Sequence, residues 1–445
     1  MRKYGYDGKI EFSEHHHSHA ASAFYPSPFE EAAILTVDGV GEWKTNQMFY
    51  GKNGSIEPIK HIEFPNSLGL LYSTITAFLG FMVNNDEYKV MGLAAYGEPS
   101  FREEFQELID IQEDGFYELD QDYFAYRYRK KMWSKKMEDL LGEPREKGEE
   151  LSQRHKNIAA TLQEITEEIL LKQTEHLYDI TDTENLCMAG GVALNSKANG
   201  YLRKNSSFEN IWIQPAAGDD GGALGTALQR SENPETVMED VYLGPEYAKN
   251  EIRETLEEHD ADYSELDRET LIEKIASEIA EGKIIGLYHG RMEWGPRALG
   301  NRSILSDPRK KEMIDRVNKK VKFRESFRPF APVVLKDEAD QYFDIVGESP
   351  FMLFTFDAKE DKMEDVEAVT HIDGTSRIQT LKRETNPFYY DIIQRFSEKT
   401  GVPVLLNTSF NLKGMPIVNT PEEAYRCFKE SGMDAVATRN FFIEE

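Results

Sequence analysis

The chain has 445 residues, 80 acidic and 52 basic, for a formal charge of −28, with 40% hydrophobic and 11% aromatic residues. This is the composition of a soluble globular protein of two or three domains, and the acid excess opposes a sequence-independent grip on nucleic-acid phosphates. With no run of 18 apolar residues, no signal-type stretch near the N-terminus and only two cysteines, Cys187 and Cys427, a cytoplasmic acidic enzyme is expected, with no nucleic-acid or membrane partner and no Cys-rich zinc module.

In chain order the first feature is "EHHHSHAASAF", Glu14 to Phe24, with four histidines in five positions. His15 and His19 stand four apart, so a helix puts both on one face, within reach of one cation. His16 and His17 point elsewhere on such a helix. The apolar run Ala32 to Val37 predicts a buried strand that ends on Asp38. "TNQMFYGKNGSIEPIKHIEF" holds two alternating runs around Asn53-Gly54, a hairpin signal. A helical stretch is predicted over about 68–93, then a charged and aromatic helical insertion over 100–150. "RHKNIAATLQEITEEILLKQTEHLY" has the apolar spacing of an amphipathic helix.

Two strand-then-glycine units follow, "NLCMAGGVALNSKANG" and "IWIQPAAGDDGGALGTALQ". Turns of this kind present backbone N–H groups to phosphate at positions such as Gly190 and Gly191, and Asn195 is placed to bond a ribose hydroxyl. Steric need for glycine in tight turns is the alternative. Asp219 lies in the second turn. With Asp38 and the two histidines it forms a mixed N/O set suited to Fe(II), Mn(II) or Zn(II). A solvated helix carrying ligand-free histidines is the competing reading.

Between Ser231 and about Thr270 apolar density falls, which divides the chain into a first part over 1–235, a linker over 236–269 and a second part over 270–445. The second part opens with the helix "LIEKIASEIAEG" and the strand "KIIGLYHG". Alternating strands and helices predict α/β organisation in both. "GRMEWGPRALGNRSILSDPR" supplies Arg291, Arg297, Arg302 and Arg309, and "KVKFRESFRPFAP" adds Lys320, Lys322, Arg324 and Arg328. Guanidinium forks suit phosphate or carboxylate; structural pairing with the plentiful acids is the alternative. Arg377, Ser409 and Asn411 lie beside predicted strands, the last two on one side of an extended segment.

Together "EHHHSHAASAF", "EYKVMGLAAYG", "MAGGVALNSKANG", "GRMEWGPRALGNRSILSDPR", "KFRESFRPFAP" and "NTSFN" resemble the NodU/CmcH-type O-carbamoyltransferase family of nodulation and antibiotic biosynthesis. The resemblance implies an actin/sugar-kinase-like (RNase H-like) domain, similar to the tRNA threonylcarbamoylation enzyme, followed by a YrdC-like α/β domain. It implies that carbamoyl phosphate and ATP, the latter with Mg, give carbamoyl-adenylate and pyrophosphate in the second domain. The carbamoyl group then passes to a hydroxyl of a small molecule or oligosaccharide at the metal site of the first. By motif, His15, His19, Asp38 and Asp219 would hold Fe(II), or Mn or Zn in its place. Gly190, Gly191, Asn195, Glu87 and Lys89 would hold the nucleotide. Arg297, Lys322, Arg328, Arg377, Ser409 and Asn411 would bind carbamoyl phosphate and the ATP phosphates.

Family members carry a long segment before the histidine motif. An actin-like domain incomplete at its N-terminus, lacking its first lobe, is therefore expected here. A partial metal- or nucleotide-binding protein, partner to a full-length enzyme, is the alternative. Hydrogenase-maturation carbamoyltransferases share the histidine motif but need cysteine zinc motifs, which two cysteines do not supply.

Overall fold

The computed structural model describes residues 5–231, 234, 236–322 and 327–444. Its first helix, α1 (His15–Phe24), buries Ala20, Ala21, Ala23 and Phe24 against a sheet. That sheet begins with the antiparallel meander β1 (Glu31–Gly41), β2 (Lys44–Lys52) and β3 (Ser55–Glu63). Asn53 and Gly54 take φ of 52° and 71°, the double positive turn that an Asn-Gly pair supplies to a hairpin. The helix predicted over 68–93 is two, α2 (Leu68–Phe78) and α3 (Glu87–Ala94). Gly80 (φ 74°) and Asn84 (φ 58°) redirect the chain between them.

The segment over 100–150 is only partly helical. It holds α4 (Arg102–Leu108), a hairpin of β4 (Ile109–Ile111) and β5 (Tyr117–Leu119), and α5 (Lys135–Leu141). Phe105, Phe116, Tyr117, Tyr123 and Phe124 are buried, so aromatic packing orders this segment where helical periodicity is weak. The amphipathic helix is α6 (Gln153–Thr181), started by a capping box at Ser152 and buried along Ile158, Leu162, Ile165 and Ile169. β6 (Asn185–Ala189), α7 (Ser196–Asn205), β7 (Asn210–Ile213) and α8 (Asp219–Leu228) complete the first part. The strand order is β3-β2-β1-β6-β7, with β1, β6 and β7 parallel. Their carboxyl ends therefore open on one edge, where α/β folds gather ligands.

Within the span expected as a linker, residues 249–269 carry α9 (Lys249–Glu258) and β8 (Ser264–Glu265), which pack with the second part. There α10 (Arg268–Ala280), β9 (Ile285–Tyr288), β10 (Arg302–Ser306), α11 (Glu312–Val317), β11 (Ala331–Leu335) and α12 (Ala339–Tyr342) follow. Next come β12 (Thr355–Asp357), β13 (Thr375–Arg377), β14 (Gln379–Leu381), α13 (Pro387–Thr400), β15 (Val404–Ser409), α14 (Pro421–Lys429), β16 (Ala435–Thr438) and β17 (Phe441–Glu444). Eight strands form one mixed sheet, ordered β14-β11-β15-β10-β9-β16-β17-β8. α7 docks the first part onto the β12–β13 ribbon. Asn199 Nδ2 donates to the Leu353 carbonyl (2.9 Å), Lys204 pairs with Asp357 (3.0 Å) and Lys197 with Asp373 (2.7 Å). A continuous apolar core runs through both parts. Among the described residues no helix is long and apolar enough to cross a membrane.

Candidate active site at the junction of the two parts

His15, His19, Asp38 and Asp219 meet at the carboxyl edge of the first sheet, their donor atoms all within 4.8 Å of one another. The two imidazole Nε2 atoms lie 3.0 Å apart. Each is 2.9 Å from Asp38 Oδ2, and they are 3.4 and 3.5 Å from Asp219 Oδ1. Each Nε2 carries at most one proton, yet each faces another nitrogen and two carboxylate oxygens. A divalent ion about 2.0–2.2 Å from every donor would set the donors about 3.0–3.5 Å apart. Two imidazoles and two carboxylates thus fit a borderline transition-metal ion, and the solvent-facing side of Asp219 leaves the cluster open for a further ligand.

Several residues hold these donors. Asp38 Oδ1 accepts from Gly39 N (2.8 Å) and Gly191 N (3.3 Å), which turns Oδ2 to the histidines. A Cβ at Gly190 (φ 93°) would stand 2.2 Å from the Val37 carbonyl, and one at Gly41 2.1 Å from the His15 ring. Glycine is therefore required in these turns for steric reasons. α1 approaches α8 through Gly225, where a Cβ would come 1.8 Å from the Ser18 carbonyl, and Ser18 Oγ bonds Thr226 Oγ1 (3.0 Å). His16, to which sequence reasoning assigns no role, lies buried between Thr36 Oγ1 (2.8 Å) and the Lys44 carbonyl (3.0 Å) and so pins α1 to β1 and β2. Burial lowers its pKa to about 4, which keeps it neutral.

Burial likewise opposes charge on His19, but its bonds to Asp219 and Asp38 prevail and raise its pKa to about 9. Burial would raise that of Asp38; the two histidines hold it well below the usual carboxylate range.

The residues expected to hold the nucleotide are more dispersed. Asn195 caps α7 through Ala198 N (3.0 Å) and exchanges amide bonds with Gln163 (2.9 and 3.2 Å), so its side chain is engaged inside the protein. On α3, Glu87 accepts from Ser73 Oγ (2.9 Å) and Asn84 N (2.8 Å), while Lys89 pairs with Asp86 (3.0 Å).

In the second part Lys322, Ser409 and Asn411 come together. The buried Lys322 Nζ donates to Asn411 Oδ1 (2.7 Å), Ser409 Oγ (3.1 Å) and the Ser409 carbonyl, and Ser409 Oγ meets Asn411 Oδ1 (2.8 Å). The arginines divide. Arg302 is wholly buried over the Tyr288 ring (3.9 Å) and bonds the carbonyls of His289 (2.9 Å) and Gly290 (3.2 Å). Arg309 forks onto Asp307 (2.9 and 2.7 Å), and Arg291 onto the carbonyls of Leu243 and Gly244. These three are structural. Arg297 differs: its Nε is enclosed and meets no hydrogen-bond partner among the described residues, and burial lowers its pKa to about 10. Arg377 ends β13, and the Arg328 guanidinium lies over the Tyr88 ring. Arg324 falls outside the described residues.

Glu293, missed by a reading that counted cations, organises the arginine loop: its Oε1 accepts from the backbone N–H groups of Leu299 (2.7 Å), Asn301 (2.8 Å) and Arg302 (3.1 Å). The same loop touches the first part. A Cβ at Gly295 (φ 98°) would stand 2.7 Å from the Pro215 carbonyl, in the turn that leads to Asp219.

Residues 3–228 match the family profile described as Carbamoyltransferase N-terminus, and residues 276–445 the one described as Carbamoyltransferase C-terminus. The expectation that the N-terminal lobe is lacking is corrected by the first match: the N-terminal family domain is present over 3–228. The chain is 45% identical to the uncharacterized protein sll1178 of Synechocystis sp., covering 97% of this chain and 76% of that protein. It is 39% identical to the nodulation protein NolNO of Sinorhizobium fredii (98% and 64%) and 38% identical to the nodulation protein NolO of Bradyrhizobium diazoefficiens (97% and 78%). The chain spans 64% of NolNO and about three quarters of the other two.

Proposed function

The chain belongs to the carbamoyltransferase family, and from that premise we propose that it activates carbamoyl phosphate with ATP and carries the carbamoyl group to an acceptor hydroxyl. The observation that carries this reading is the meeting of Gly295, two residues from Arg297, with the turn before Asp219. This contact supports a reading in which the loop that carries Arg297 joins the second part's anion site to the metal-type cluster of the first.

In the second part, which we read as YrdC-like, Arg297, Lys322, Arg328 and Arg377 supply positive charge. Water takes the phosphate from carbamoyl phosphate as inorganic phosphate, the carbamate left behind attacks the α-phosphate of ATP, and the α–β bond breaks to release pyrophosphate. Preorganised cations in a partly buried site stabilise the negative charge on the attacked α-phosphate and on the departing pyrophosphate. Ser409 and Asn411 hold Lys322 in place. In the first part, whose strand order supports an RNase H-like lobe of the actin/sugar-kinase type, His15, His19, Asp38 and Asp219 hold Fe(II), or Mn or Zn, as ligands. A bound ion there supplies Lewis acidity toward the acceptor hydroxyl. Gly190 and Gly191 would seat the adenylate through their backbone, while Asn195, Glu87 and Lys89, whose side chains are engaged within the first part, would shape that seat indirectly. The acceptor we infer is a sugar or secondary-metabolite hydroxyl, in keeping with the two relatives named as nodulation proteins.

The test is pyrophosphate release from ATP by the purified chain without acceptor. Release that needs carbamoyl phosphate is expected; release independent of it, or none from folded, metal-loaded protein, removes the adenylation step.

A further inference from the structure

Tyr88, Gly92 and Tyr96 follow at four-residue intervals along α3 and the turn that ends it, so they share one face. Each meets the second part. The Arg328 guanidinium lies 4.7 Å from the centroid of the Tyr88 ring. A Cβ at Gly92 would stand 3.8 Å from Pro329 Cδ, an ordinary contact, and the Tyr96 ring packs edge-on against Phe327 at 6.3 Å. Tyr88 also lies within electrostatic reach of Arg297, whose Nε meets no hydrogen-bond partner among the described residues. The neighbours of Tyr88 in the chain are occupied inside the first part, Glu87 by Ser73 and Asn84, Lys89 by Asp86. Tyr88 is the most exposed of the three, and its ring meets Arg328.

An aromatic face attracts a guanidinium without neutralising it. A carboxylate in the same place would compete with an incoming anion; a phenol ring does not. We propose that Tyr88, from the first part, is a positioning residue of the second part's anion site, its ring orienting Arg328 beside Arg297 so that their N–H groups face an incoming phosphate. The identity of that phosphate as carbamoyl phosphate or ATP rests on the function proposed above, but the placement of the ring does not.

The experiment uses the full chain, with Tyr88→Ala and Tyr88→Phe, and inorganic pyrophosphate as the probe in titration calorimetry. Loss of one partly desolvated cation–π contact is expected to weaken pyrophosphate binding about three- to tenfold in Tyr88→Ala, while Tyr88→Phe, which keeps the ring, stays within about twofold of the parent. Under turnover the same loss is expected in KM for carbamoyl phosphate, with kcat little changed and metal content equal. Should Tyr88→Ala melt early, Tyr88→Leu keeps bulk without a π face and is expected to show the same weakening. Unchanged pyrophosphate affinity in the ring-less variants, equal losses in Tyr88→Phe, or no pyrophosphate binding by the parent would each overturn the assignment. Pyrophosphate binding that depends on the ring, in a parent that releases none from ATP, would sink the adenylation reading and leave the role of Tyr88 supported.

Discussion

His15 and His19 present two Nε2 atoms 3.0 Å apart to carboxylates that together need a cation. A proton on His19 fills that need in the metal-free protein, and the direction of the shift sets a pH dependence. His19 is raised to about 9 from an ordinary 6.5, so its contribution to stability is complete below 6.5 and is lost as pH rises through 9. A metal ion must displace that proton, so metal affinity is expected to rise over the same window, with about one proton released per ion. Calorimetry in two buffers of different ionisation enthalpy reads this directly; affinity flat from neutral pH to 9 would contradict it. The His15→Ala, His19→Ala double variant should lose the ion altogether, and stoichiometric metal in that variant would move the site elsewhere. The i,i+4 histidines and the strand-end Asp38 were legible because their chemistry follows from local spacing. His16, Glu293 and Tyr88 were not, since their roles are defined by what lies opposite them in space.

The histidines sit on one helix and Asp219 on another, so the packing of α1 on α8 decides whether the four donors meet. That packing depends on Gly225, which no local signal in the sequence distinguishes from its neighbouring glycines. Gly225→Ala should push the helices apart, cost about 1–3 kcal/mol of stability and weaken metal binding, as read by urea unfolding and metal titration; a variant equal to the parent in both would show that the contact is dispensable. The Asn53-Gly54 hairpin and the long amphipathic α6 follow from their patterns because turn chemistry and 3.6-residue periodicity are local. The break between α2 and α3 was hidden by apolar residues on both sides of it, and the insertion over 100–150 by aromatics that are ordered by packing.

Across the whole molecule, α7 locks the first part to the β12–β13 ribbon while α3 and the arginine loop close the junction from two other directions. The cations of the second part thus lie beside residues of the first, as Arg328 does beside Tyr88. Lys322→Ala or Arg328→Ala should each reduce carbamoyl-phosphate-dependent ATP turnover by about 10²-fold or more, as expected for the loss of a preorganised charge at a transition state, with the melting curve of Arg328→Ala close to that of the parent and that of Lys322→Ala lowered by the buried Ser409 and Asn411 groups it leaves unpaired. Turnover that survives in both variants would dissolve the anion-site assignment. The sequence by itself determined the α/β class, the family resemblance and the His/Asp donor set, because strand and helix periods, motif spacing and residue chemistry are written in adjacent positions. Only the tertiary structure separated Arg297 from Arg291, Arg302 and Arg309, and only it brought Tyr88 to Arg328. A guanidinium reads the same in sequence whether its partner is an Asp two residues away, a buried carbonyl or an incoming phosphate, and that partner is chosen by the fold.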